Sequence, residues 1–98
     1  MAKYDIVSSG SFRKDLKLAK KRGLPLKDFY DVVTMLAEDQ PLPANLRNHL
    51  LSGDYKGYWE CHINPDWLLL YEKNAEIRII SLYRTDTHSD LFEKGRKR

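Results

Sequence analysis

Cysteine is nearly absent from this chain of 98 residues, and phosphate-binding glycine loops and long apolar runs are missing. A single cysteine, Cys61, rules out an internal disulfide and any zinc site built on a cysteine cluster, in keeping with a reducing compartment. No apolar stretch approaches the ~20 residues of a membrane span. Met1 to Gly10 also lacks the basic-then-apolar order of a signal peptide, so a cytosolic protein without a membrane partner is expected. Low-complexity tracts and internal repeats are missing too. A composition of 42% hydrophobic and 32% charged residues then implies a packed globular chain, and the length suits one domain over 1–98.

Absent motifs narrow the chemistry. His62 and Asp66 flank a turn without the helical H-E-x-x-H spacing of a zinc hydrolase, and no glycine-rich loop could cradle a nucleotide. Ser81 and Ser89 have no nucleophile-elbow setting. Neither a metal nor another cofactor is called for.

Charge, by contrast, is present and unevenly placed. The net value is only +3, yet Lys14, Lys17, Lys20, Lys21 and Arg22 crowd one segment and Gly95-Arg96-Lys97-Arg98 closes the chain. Clusters of this kind suit a polyanion such as RNA, or an acidic protein.

Periodicity gives the elements. Tyr4–Val7 reads as a short strand, followed by turn and cap residues at Ser8-Ser9-Gly10-Ser11. From about Ser11, Phe12, Leu16 and Ala19 form one apolar stripe of a helix with a basic outer face, which Gly23 stops. A second helix begins near Pro25, with Leu26, Phe29, Val33 and Leu36 at spacings of three and four, and Pro41-Leu42-Pro43 blocks its continuation. Asn45–Gly53 reads as a loop. Tyr55–Ile63, Trp67–Lys73 and Glu76–Tyr83 are β-rich runs whose short connections demand antiparallel neighbours, and a short segment through Phe92 follows. The expected fold is α+β: two N-terminal helices on one face of a mainly antiparallel four-stranded sheet, in the order β-α-α-β-β-β.

Strand alternation then divides the third run. Trp59, Cys61 and Ile63 share one face, and Tyr58, Glu60 and His62 the other. With the helices over the Trp59 face, Glu60 and His62 are expected on an open face. Trp59 and Trp67 read as core, and Cys61 as a small buried thiol.

All three histidines, His49, His62 and His88, fall in the second half, beside Asp66, Arg84 and Asp86. Histidine can both accept and donate a proton near neutrality. Two such groups and a cation are what RNA cleavage by its own 2′-OH requires: a base, a group that stabilises charge on phosphorus, and an acid for the departing 5′-oxygen.

Read together, His49-Leu50-Leu51-Ser52-Gly53, Tyr58-Trp59-Glu60-Cys61-His62-Ile63-Asn64-Pro65-Asp66-Trp67 and Arg84-Thr85-Asp86-Thr87-His88-Ser89-Asp90-Leu91-Phe92 resemble the YafQ branch of the RelE superfamily of toxin–antitoxin ribonucleases. The Phe12–Lys17 helix and the Pro41-Leu42-Pro43 break resemble it as well, so the similarity spans nearly the whole chain.

That resemblance implies a ribosome-dependent mRNA endonuclease that cuts in the decoding site and is neutralised by a cognate antitoxin, with DNA met only through that antitoxin. It implies His49, His62, Asp66 and His88 as the acid–base set, with Glu60 where related toxins often carry Asp, and Phe92 as the aromatic that stacks on an mRNA base. Leu50 departs from the proline that often follows the first histidine. On chemical grounds His88 or Asp66 would protonate the leaving oxygen, His49 or His62 would take the 2′-OH proton, and Arg84 would steady the phosphorane. Lys14, Lys17, Lys20, Lys21 and Arg22 would hold rRNA phosphate. The same fold in ParE-type toxins inhibits a topoisomerase by contact alone, so a non-catalytic binding module or a co-repressor is the alternative.

Overall fold

A computed structural model describes residues 3–87; His88 and Phe92 lie outside the described residues. The chain begins with strand β1 (Asp5–Ser8) and helices α1 (Gly10–Lys21) and α2 (Leu26–Ala37), as the periodicity predicts. Strands β2 (His49–Leu50), β3 (Trp59–Asn64), β4 (Trp67–Asn74) and β5 (Ile79–Thr87) follow, with single 3-10 turns at Ala44–Leu46 and Gly53–Tyr55.

Local chemistry sets the helix ends. The Ser9 side chain caps α1 by accepting from the Phe12 amide at 2.9 Å. Gly23, at φ +75°, closes it by taking a left-handed conformation that costs glycine nothing, and the Leu24 amide turns back to the Ala19 carbonyl. Helix α2 ends at Ala37, before the prolines, because Asp39 enters the left-handed region (φ 57°) and the Asp39 and Gln40 amides return to Leu36 and Met35.

The sheet has five strands, ordered β1-β5-β4-β3-β2, with β1 parallel to β5 and the other pairs antiparallel. The extra strand over the expected four is β2, inside the stretch read as a loop. Two residues are too few to show a period, and their strand character comes entirely from pairing His49 with Glu60 and Leu50 with Trp59. Strand boundaries also shift, and the last strand runs on past the expected Tyr83 to Thr87. β3 starts at Trp59 because residues 53–58 make a tight turn with Gly57 at φ +96°. β5 starts at Ile79 because Asn74 Oδ1 accepts from the Glu76 and Ile77 amides and Arg78 turns at φ 57°.

Both helices pack on the face carrying Cys61, Ile63, Trp67, Leu69, Tyr71, Ile80 and Leu82, with Phe12, Ala19, Phe29, Val32 and Leu36 supplying the helical side. Phe29 sits between Phe12 and Trp67, its ring centroid 5.7 and 6.1 Å from theirs. Trp67 and Cys61 are fully buried, as expected, while Trp59 lies partly covered at the edge of this core.

The other face is not open as expected. Leu68 and Leu70 are fully buried there beneath Leu51, Tyr55 and Tyr83. Every residue from Trp67 to Tyr71 is therefore buried, so β4 is covered on both sides. Strand alternation correctly assigned the faces but could not reveal that the segment between β2 and β3 packs over the second one.

Candidate active site

The site is built on this second face by two adjoining strands. β3 presents Glu60 and His62 two residues apart, and the pairing of His49 with Glu60 brings His49 from β2 directly beside them. Glu60 Oε1 lies 3.3 Å from His49 Nε2 and 3.7 Å from His62 Nε2. One carboxylate oxygen thus faces two imidazoles: the His49 approach becomes a hydrogen bond with a proton between its two atoms, while His62 stands just outside hydrogen-bond reach.

Burial grades the three. The Glu60 side chain is 8% exposed, that of His62 16% and that of His49 48%. Glu60 Oε2 is buried with no hydrogen-bond partner among the described residues. Leaving a carboxylate oxygen unsatisfied costs a fold stability unless a function requires it. Glu60 is thus a buried group beneath the histidines, in place of the exposed one expected from strand alternation.

His49 is fixed at its other nitrogen. Nδ1 lies 2.6 Å from the Arg47 carbonyl, which can only accept, so Nδ1 carries the hydrogen and donates. Nε2, facing Glu60 and solvent, is left as the atom that exchanges a proton.

Asp66 stands exposed in the β3–β4 hairpin, whose corner is set by Asn64: its Oδ1 accepts from the Asp66 and Trp67 amides, both at 3.1 Å. At the far end of β5 the last described residue, Thr87, pairs with Trp67, next to Asp66.

Arg84 does not stand free. Its Nε and Nη2 donate to the two oxygens of Asp15 on α1, at 2.6 and 3.2 Å, and the Thr85 amide donates to the same carboxylate. The hydrogen bond to Asp15 raises the Arg84 pKa above its already high ordinary value, against the opposing effect of burial. Any phosphate would have to use the remaining donors or displace Asp15. Nothing local in the sequence marks Asp15 as this partner, since the pair spans 69 residues.

Cys61, between the two site residues of β3, faces the helices instead. Burial pushes its thiol up to about 12, which keeps it protonated and excludes it as a nucleophile at neutral pH. Among the described residues no group of three or more His, Cys, Asp or Glu side chains is arranged to hold a metal ion.

The basic residues of α1 lie apart from this cluster. Lys14, Lys17, Lys20 and Lys21 are exposed along the helix, where their stems, with Leu18, line one shallow surface. Arg22 reaches Asp86 on β5 at 3.3 Å. No helix of the described residues is long and apolar enough to cross a membrane.

Comparison with known proteins identifies the family and the fold. The family model described as bacterial toxin of type II toxin–antitoxin system, YafQ, matches residues 4–93. The mRNA interferase toxin YafQ of Escherichia coli strain K12 is 39% identical over 93 residues, covering 94% of this chain and 99% of that protein. The crystal structure of YafQ from E. coli strain BL21(DE3) superposes with a TM-score of 0.84 at 38% identity, over 91% of this chain and 98% of that one. The toxin in the E. coli DinJ–YafQ toxin–antitoxin complex gives 0.83 at 38% identity, over 92% and 98%. Whole-chain agreement in sequence and in structure places this chain in the YafQ family of bacterial type II toxin–antitoxin toxins.

Proposed function

We propose that the protein is an mRNA endonuclease that cuts on the ribosome, using the 2′-OH of the message as nucleophile. The observation that carries this reading is the pairing of His49 and His62 around the buried Glu60 carboxylate, 3.3 and 3.7 Å away. Two imidazoles gathered around one carboxylate supply a proton acceptor and a proton donor for this reaction.

His49 is the better placed base. Its Nδ1 is committed to a backbone carbonyl, so the exposed Nε2 takes the 2′-OH proton while Glu60 stabilises the imidazolium that forms. The O2′–P bond forms as the P–O5′ bond breaks. His62, more enclosed, completes the proton network, and Asp66 or His88 protonates the departing 5′-oxygen. Arg84 steadies the phosphorane with the donors that Asp15 leaves unused.

Phe92 stacks on a base of the message. The lysines of α1, with Arg22, hold rRNA phosphate, so that the ribosome orders a flexible substrate that this small surface cannot bend by itself. The partner that silences the toxin is a cognate antitoxin protein, as DinJ is found complexed with YafQ in E. coli. DNA is met only through that antitoxin.

Primer extension on ribosomes programmed with a defined message tests the reading. Wild type should give codon-phased cuts, and His49→Ala, His62→Ala and His88→Ala should each reduce them by about 100-fold or more, the range expected on removing a general acid or base. Intact message with folded wild-type protein, or undiminished cutting by the folded histidine variants, would exclude the nuclease and favour a toxin acting by contact alone.

A further inference from the structure

We infer that Tyr71 and Asn48 are positioning residues for His49, a strut that runs from the helix-covered side of the sheet and fixes a catalytic imidazole on the other side. The inference rests on the assignment of His49 to the active site above.

His49 needs such support because its own strand gives little. β2 is two residues long and lies at the edge of the sheet. It is joined to β3 through the register of His49 with Glu60 and Leu50 with Trp59, continued by the Leu51 amide to the Tyr58 carbonyl. It is entered through Arg47 in the left-handed region at φ 51°, a conformation that a non-glycine residue adopts at a cost. Edge segments of this length fray readily. Yet the chemistry requires Nε2 of His49 to hold its place.

Tyr71 supplies the missing anchor. It lies on β4, two strands away, aligned with Trp59 and through Trp59 with Leu50. Its side chain is 1% exposed, with its ring stacked at 12° to that of Trp59. Its hydroxyl crosses beneath β3 and donates to Asn48 Oδ1 at 2.7 Å. A buried phenol needs an acceptor, and Asn48 provides it.

Neighbouring residues of an extended chain point to opposite faces. Asn48 therefore reaches down to Tyr71 while His49 reaches across to Glu60. The peptide between them is held from both sides, and a shift of Asn48 passes directly to the imidazole. A cavity of about 250 Å³, lined by Asn48, Trp59, Tyr71 and Leu42 among others, adjoins this hydrogen bond. Once the hydroxyl is removed, Asn48 has room to swing, and packing does not hold it in place.

The test measures single-turnover cleavage at saturating toxin on programmed ribosomes, for Tyr71→Phe, Asn48→Leu and Asn48→Asp, with ¹⁵N NMR of the imidazoles. Tyr71→Phe and Asn48→Leu should lower the saturated rate about tenfold, as expected when a reacting group is misplaced by a fraction of an ångström. The half-saturating concentration should not change. Asn48→Asp keeps an acceptor for the hydroxyl and should restore most of the rate. In Tyr71→Phe the His49 signals should change from a single Nδ1–H tautomer to a mixture, with those of His62 unmoved.

Ile80→Val, a core change far from the loop, serves as the control for stability. If it slows cleavage as much as Tyr71→Phe at equal loss of Tm, or if Tyr71→Phe keeps the wild-type rate and His49 signals, the positioning role is wrong. His49→Ala separates the two levels. Full activity in that variant would overturn the site assignment and the inference with it, whereas an inactive His49→Ala beside a fully active Tyr71→Phe would overturn the inference alone.

Discussion

Glu60 carries the tension between stability and function at the scale of single residues. Its side chain is buried opposite Leu70, with one oxygen facing two histidines and the other without a hydrogen-bond partner among the described residues. Desolvating a carboxylate costs several kcal/mol, which incomplete pairing does not recover. Replacing it with an apolar group of similar size extends an existing apolar cluster. We therefore expect Glu60→Leu to raise unfolding stability by about 1 kcal/mol while lowering mRNA cleavage by about 100-fold. Urea denaturation set beside primer extension measures both; a variant that is less stable and equally active would show that the carboxylate is a structural group.

Helix α1 does two separate jobs at the scale of elements. Its inner side supplies Phe12 and Ala19 to the core, and Asp15 ties α1 to β5 by accepting from Arg84 and the Thr85 amide. Its outer side carries Lys14, Lys17, Lys20 and Lys21, none of them drawn into a described ion pair. Charges free of structural duty can be reversed without unfolding the helix. Lys14→Glu with Lys17→Glu, both outside the last turn, should leave Tm within about 2 °C of wild type. The same pair should weaken ribosome binding and reduce the salt slope of log K by about 1 for each phosphate that is no longer neutralised. Binding titrations at several salt concentrations would show it, and an unchanged slope would remove α1 from the rRNA interface.

Two groups in the main core tie the stability of the whole molecule to pH. Burial pushes the Cys61 thiol from 9.0 up to about 12, and burial likewise raises the Tyr71 hydroxyl above its ordinary 10.0. Both groups are neutral when protonated, so a raised folded-state pKa means that the unfolded chain loses its protons first. The stabilisation is complete below pH 9 and is lost as pH rises toward 12. Each group steepens the fall by at most ~1.4 kcal/mol per pH unit. Chemical denaturation from about pH 8 to about pH 11, across that window, should show stability dropping with pH, and less steeply in Cys61→Ala. A flat profile would mean that the thiol is not held in an apolar site.

Much of this arrangement was legible in the sequence, for physical reasons that are local. Ser9 and Gly23 bound α1 through cap chemistry that acts over a few residues. The apolar stripes of α1 and α2 settle which helix faces are buried, and alternation along Trp59–Asn64 settles which residues share a side. The histidine, aspartate and arginine motifs and their order carry the resemblance to the YafQ toxins.

What the tertiary structure alone decided involves pairs of residues distant in sequence. Strand β2 exists only because Glu60 and Trp59 lie alongside it. The second face is covered because Leu51 and Tyr55 pack over Leu68 and Leu70, Arg84 is engaged by Asp15, and Asn48 is held by Tyr71. Periodicity and cap chemistry report on neighbours within one or two turns of chain. Burial and charge pairing depend on what packs against a side chain, and that is set only when the sheet has formed.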